Sequence, residues 1–127
     1  MESLITDINW LAVVVGAVVA YILGAVWYSD KFFAQKWKAG IGTPAVADTP
    51  MMYGMVSQAF GTFFLAWVIG VTQRTDSVAL AVLVALTIAT LIKANGFFAG
   101  KTKYAISVEV GFVLVMVLVM LLAHKVL

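Results

Sequence analysis

The sequence predicts an all-α integral membrane protein, with four transmembrane helices in an antiparallel bundle and a short amphipathic interfacial helix after the first span. Three observations predict it. Of the 127 residues, 64% are hydrophobic and 11% charged, whereas a soluble domain is roughly half apolar and about a quarter charged. A soluble domain this short buries only part of its surface, so it could not hide so much apolar area. Second, the apolar residues gather into four runs, each near the roughly 20 helical residues that cross a hydrocarbon core. Third, lysines concentrate in alternate loops, as expected for a chain that threads a bilayer. One domain covering residues 1–127 accounts for the whole chain.

The first span runs from about Asn9 to Tyr28, with Trp10 and Trp27 bracketing it as interfacial anchors. It is read as a retained helix, not a cleaved leader. The N-terminus carries Glu2 and Asp7 and no basic residue, and the small-residue site at Ala45-Val46-Ala47 lies far beyond the apolar run. The following segment, about 30–39, reads as an interfacial helix. Ser29 or Asp30 can cap it and Gly40 can end it. Phe32, Phe33 and Trp37 can bury while Lys31, Lys36 and Lys38 reach lipid head groups; the alternative is a docking site for an acidic partner.

The second span runs from about Pro50 to Val71, opened by Thr49-Pro50 as an N-cap and a first-turn proline. The third runs from about Asp76 to Phe98, with caps available in Thr75-Asp76-Ser77. The fourth runs from about Tyr104 to Lys125. Each must be helical, because an open strand leaves its backbone unsatisfied in lipid.

Loops one and three hold Lys31, Lys36, Lys38, Lys101 and Lys103, whereas the other side holds Arg74 and Lys125. The positive-inside rule puts the first and third loops in the cytoplasm and both termini outside, in a multi-pass inner-membrane topology. The net charge of +2 and a pI near 9.0 therefore report orientation, not nucleic-acid binding. The chain has no cysteine, which excludes a disulfide framework, a thiolate metal site and a cysteine nucleophile.

Small residues recur at helical spacing. Gly16, Ala20 and Gly24 form a stripe on the first helix, Gly54, Ser57 and Gly61 on the second, and Ala81, Ala85 and Ala89 on the third. Such stripes let helix backbones approach, within one chain or between copies. The fourth helix is bulky on every side after Gly111, with Met116 and Met120 as gap fillers.

Lys93 and Glu109 each lie eight residues from Lys101, the centre of the third loop. Equal distance from the turn means equal depth, so an ion pair across the hairpin is geometrically possible, and Glu109 is expected to face the interior and meet Lys93 or Gln58, directly or through one water. Glu109 needs a partner, water or a proton, whereas a lysine can reach the head groups on its long stem. Gln58 and Tyr21 share this layer. Asn95, two residues from Lys93, falls on a roughly opposite face. The expected polar cluster is Tyr21, Gln58, Lys93, Asn95 and Glu109. The opposite half of the membrane has no polar side chain between Thr62 and Thr72, between Ser77 and Thr87, or between Glu109 and His124. An ion path needs polar groups across the full thickness, so a solitary copy is not expected to conduct.

No paired carboxylates, phosphate loop or metal-spaced ligand set is present, and His124 is the only histidine. The expectation is no enzyme, no cofactor and no metal, with His124 a polar tip beside Lys125.

Two blocks resemble a known family. "NWLAVVVGAVVAYILGAVWYS", residues 9–29, is similar to the opening of the bacterial membrane family Domain of Unknown Function 1761, with Asn9 to Ala12, then Gly24, Trp27 and Tyr28. "NGFFAGKTKYAISVEVGF", residues 95–112, resembles its second pattern through Asn95, Phe98, Lys101, Glu109, Gly111 and Phe112; Glu109 stands where the family usually has Asp. The resemblance implies a small four-helix bacterial membrane protein and brings no reaction.

Two readings follow. One is a structural or interaction protein, whose partners are the bilayer and a second copy or a larger membrane complex. The other is a small oligomeric transporter or ion-coupled carrier with a cytoplasmic-side polar site around Glu109. A water-filled cavity reaching Glu109 would separate them: a dry, paired Glu109 favours packing, and a wet one open to the cytoplasm favours a site.

Overall fold

A computed structural model describes residues 5–28 and 51–127. They form four helices: α1 (Trp10–Trp27), α2 (Met51–Arg74), α3 (Val78–Phe98) and α4 (Lys103–Val126). All four are long and apolar enough to cross a membrane, and no strand occurs among the described residues. The four helices expected as spans are present. The interfacial helix expected at 30–39 and the Thr49-Pro50 cap lie outside the described residues.

Capping chemistry sets the helix starts. The Asn9 side chain accepts from the Ala12 backbone N–H at 3.1 Å, Ser77 from Leu80 at 3.2 Å and Thr102 from Ala105 at 3.2 Å. Each satisfies one of the donors that a helix N-terminus leaves without a partner.

Two turns of one kind reverse the chain. After α2, the Asp76 N–H donates to the Gln73 carbonyl at 3.1 Å and the Ser77 N–H to Thr72 at 3.0 Å. After α3, the Gly100 N–H donates to Phe97 at 3.1 Å and the Lys101 N–H to Gly96 at 2.9 Å. Both are Schellman motifs, which place one residue in the left-handed region. Gly100 takes φ 76° at no steric cost, and Asp76 takes φ 56°. Lys101 is thus fixed one residue before the Thr102 cap of α4.

Helix α4 packs against all three others, and α1 against α2 and α4. Ala105, Ile106, Val108, Phe112, Val113, Met116, Val117 and Met120 of α4 are buried. They meet narrow small-residue faces: Ala12, Val13, Gly16, Ala17 and Ala20 on α1, and Ala81, Ala85, Ala89 and Gly96 on α3. This division, bulky residues on the central helix and small ones around it, allows close contact.

The expected packing residues divide. A Cβ at Gly16 would touch the Met120 backbone at 3.4 Å, one at Gly24 would meet the Phe112 ring at 2.9 Å, and one at Gly111 would touch Trp27 at 3.4 Å. Ala20 is fully buried. Gly54 and Gly61 make no such contact within the described chain: a Cβ at either meets nothing within 4 Å. The reason is that every residue from Tyr53 to Gly61 is exposed, so this half of α2 stands away from the other described helices. The α2 seam comes later, at Thr62, Leu65, Ala66, Ile69 and Gly70, all buried. Gly70 and Gly96 are the tightest positions, where a Cβ would lie 2.6 Å from Val13 Cγ2 and from Ile106 Cγ1, respectively.

Candidate functional site

The carboxylate of Glu109 and the ammonium of Lys101 form an ion pair, with Nζ 2.9 Å from Oε2 and 3.1 Å from Oε1. Lys101, at the turn, supplies this ion pair, where the sequence pointed to Lys93 or Gln58. Depth matching alone favours Lys93, but azimuth decides. At about 100° per residue, Ala81, Ala85, Ala89, Ile92 and Gly96 fall in one arc of α3 facing its neighbours. Lys93 and Asn95 lie about 80° to either side of the centre of that arc, and both are exposed. Lys101 occupies the turn directly above α4, and Glu109 lies in the second turn of that helix. The lysine stem reaches down along α4, so the pair closes within one hairpin.

Other side chains hold Glu109 in place. The Trp27 indole N–H donates to the Val108 carbonyl at 3.1 Å, tying the end of α1 to the residue before Glu109. Phe112, one turn further on, is buried against Gly24 and meets Tyr28 edge-on, with ring centroids 5.4 Å apart.

Beside this pair is a cavity of about 640 Å³ with walls from all four helices. Tyr21, Gly24 and Tyr28 line it from the α1 side, Gly54, Met55 and Gln58 from α2, and Ile92 from α3. Lys101, Glu109, Phe112 and Met116 complete most of the wall. Of the expected polar cluster, the fold therefore brings together Tyr21, Gln58 and Glu109, and leaves Lys93 and Asn95 outside. It adds Lys101, whose position at the turn centre was visible in the sequence.

The polar groups are held in fixed orientations. The Tyr21 hydroxyl donates to the Met55 carbonyl at 2.9 Å, bridging α1 to the free-standing half of α2. The Gln58 amide donates to Thr62 Oγ1 at 3.3 Å, one turn along α2. The cavity size falls within the range of small-molecule sites, roughly 300–1,000 Å³. Its make-up, apolar with a few convergent polar groups, is also theirs.

His124, expected as an interfacial polar tip beside Lys125, is half-buried. Both ring nitrogens are buried with no hydrogen-bond partner among the described residues. Nε2 lies 3.4 Å from where a Gly70 Cβ would stand, so the ring fills space left by that glycine. It sits at the end of α4 opposite Glu109 and adds nothing to the cavity. Among the described residues no three His, Cys, Asp or Glu side chains gather to hold a metal.

A family model, Protein of unknown function (DUF1761), matches residues 11–124. The match takes in both sequence blocks apart from Asn9 and Trp10. No curated protein and no solved structure matches the chain.

Proposed function

The chain belongs to the family described as Protein of unknown function (DUF1761), and we propose that it is a membrane-embedded binding protein that holds one small amphipathic molecule beside Glu109. The four apolar helices are read as an antiparallel bundle, with the segment around 30–39 lying along the membrane surface. The observation that carries the reading is the cavity of about 640 Å³ lined by the Lys101–Glu109 pair. A carboxylate costs several kcal/mol less to keep at depth when paired, and charged residues within spans mark functional sites more often than packing alone explains. The opposite end supports holding over conduction, because Ile8, Val13, Ile69 and Met120 fill it. The reading assigns the chain no catalytic step.

The lysine-rich end is placed in the cytoplasm of a bacterial cell, with the protein in the inner membrane. A membrane-impermeant thiol reagent that labelled a cysteine at position 101 on intact cells would reverse this orientation.

Self-association is a second reading, favoured by α2. Gly54 and Gly61 have open space beside them, which a second copy or another membrane protein could fill. Native mass spectrometry from a mild detergent tests both. Binding predicts a small-molecule adduct on each chain, lost in Gly54→Phe, where the ring has room to enter the cavity. Self-association predicts an oligomer that Gly61→Leu disrupts. An adduct-free wild-type chain, or one whose adduct survives in Gly54→Phe, would sink the binding reading.

A further inference from the structure

We infer that the molecule held beside Glu109 is a bilayer lipid, with one acyl chain lying in a groove between α1 and α2 and its polar end in the cavity. This rests on the binding reading above and deepens it. The groove holds about 310 Å³ and shares Tyr21 with the cavity as a wall residue. On α1 the groove takes Val14, Ala17, Val18 and Ile22, and the cavity takes Gly24, Ala25 and Tyr28. On α2, which runs the other way, the groove takes Phe63 and Ala59, and the cavity takes Gln58, Met55 and Gly54. The two spaces therefore follow one another along a single seam. Val14, Val18 and Ile22 recur every four residues on one side of the groove, as Ala59 and Phe63 do on the other. Ala17, small and buried, lies among them.

Water does not suit the groove. A bridging water needs two to four polar partners. Tyr21 is the only polar side chain in this wall, and its hydroxyl proton goes to the Met55 carbonyl at 2.9 Å. Both flanking helices are apolar enough to cross a membrane, so the neighbour that reaches the groove is an acyl chain. A chain lying there gains van der Waals contact from two helices at once, which is what drives association where everything is equally apolar.

The order of the seam matches a lipid. It passes from polar, with Gln58 and Glu109 in the cavity near the lysine-rich turn, to apolar toward the middle of α1 and α2. A lipid in that leaflet has the same order, head outward and chain end inward. The length agrees as well. From Tyr28 to Val14 the seam runs roughly 20 Å at about 1.5 Å per residue, and one leaflet with its head groups is about 20 Å thick.

The test places the full chain in nanodiscs of phosphatidylethanolamine and phosphatidylglycerol with a trace of photoreactive phospholipid. One probe carries its diazirine at the chain end and the other beside the glycerol, each made with both heads. Labelled residues are mapped by mass spectrometry. Leu86 is the reference for Val18, because both are 52% exposed. They also lie at matching depth, as Val18 follows Trp10 and Leu86 follows Val78 by the same count at the same end of the bundle. The chain-end probe should mark Val18 about ten-fold more than Leu86. The glycerol-side probe should mark Ala25 and Met55 in preference to Val18. Ala59→Trp, a change at an exposed position, should bring Val18 down to the Leu86 level and leave Leu86 unchanged. Equal marking of Val18 and Leu86 with both heads reports surrounding lipid only and overturns the inference, and this arm needs no variant to fold. The reverse order, with the chain end at Met55, overturns it too, as does Val18 labelling that survives Ala59→Trp. In each of those cases a small-molecule adduct in native mass spectrometry would leave the binding reading standing, whereas an adduct-free chain would sink both.

Discussion

The two ends of the molecule are built on opposite principles. At the end holding the start of α1 and the close of α4, helices meet in contact. Val13, Ile69 and Met120 are fully buried there, and Gly70 leaves space for Val13, Ile8 and the His124 ring. The Arg74 guanidinium donates to the Thr6 carbonyl at 3.2 Å, closing the surface above them. At the other end α2 stands off, the cavity lies between the helices, and a charged pair forms part of its wall. The difference teaches that the same ingredient, a glycine in a helix, serves two purposes. Gly70 brings helices together, whereas Gly54 leaves room. What decides is whether a bulky side chain faces it.

The largest expected effect lies at the closed end. Gly70→Leu puts a Cβ 2.6 Å from a methyl of Val13, a β-branched residue with little rotamer freedom. A loss of about 1–3 kcal/mol is expected, read as a drop in thermal midpoint in detergent. An unchanged midpoint would mean that the two ends pack alike. The ion pair comes next. Lys101→Met should cost about 1–2 kcal/mol, toward the lower part of the range for an unsatisfied group because the pair is partly exposed. Lys93→Met should stay within about 0.5 kcal/mol. In a double-mutant cycle Lys101→Met and Glu109→Gln should be non-additive; coupling of Glu109 to Lys93 instead would refute the pairing described. The smallest effect belongs to Gly54→Leu, expected within about 0.5 kcal/mol in the monomer. A large loss there would show that the open end is filled.

The contrast also marks what could be read from the sequence. Four spans were legible because lipid imposes a length and a composition on any helix that crosses it. The Ser77 cap was legible because capping depends on local residue types. Depth could be counted from the turn, which placed Tyr21, Gln58 and Glu109 in one layer. Azimuth could not. The alanine stripe on α3 continued at four-residue spacing points to Lys93, but the seam steps by three, through Ile92, to Gly96. Gly54 and Gly61 were read as packing positions because spacing shows what could fit and not whether a partner is present. Gly70 carried a usable sign, since Thr62, Ala66 and Gly70 repeat every four residues along the face that does pack.

The Gly100 turn has a consequence for how the chain enters the bilayer. The only acidic residue within the described spans finds its counter-ion eight positions earlier, across a reversal that α3 and α4 form between themselves. A carboxylate that depended on α1 or α2 would stay uncompensated until distant segments docked. Here a counter-ion is local, so Glu109 can enter with Lys101 already beside it, before α1 and α2 dock.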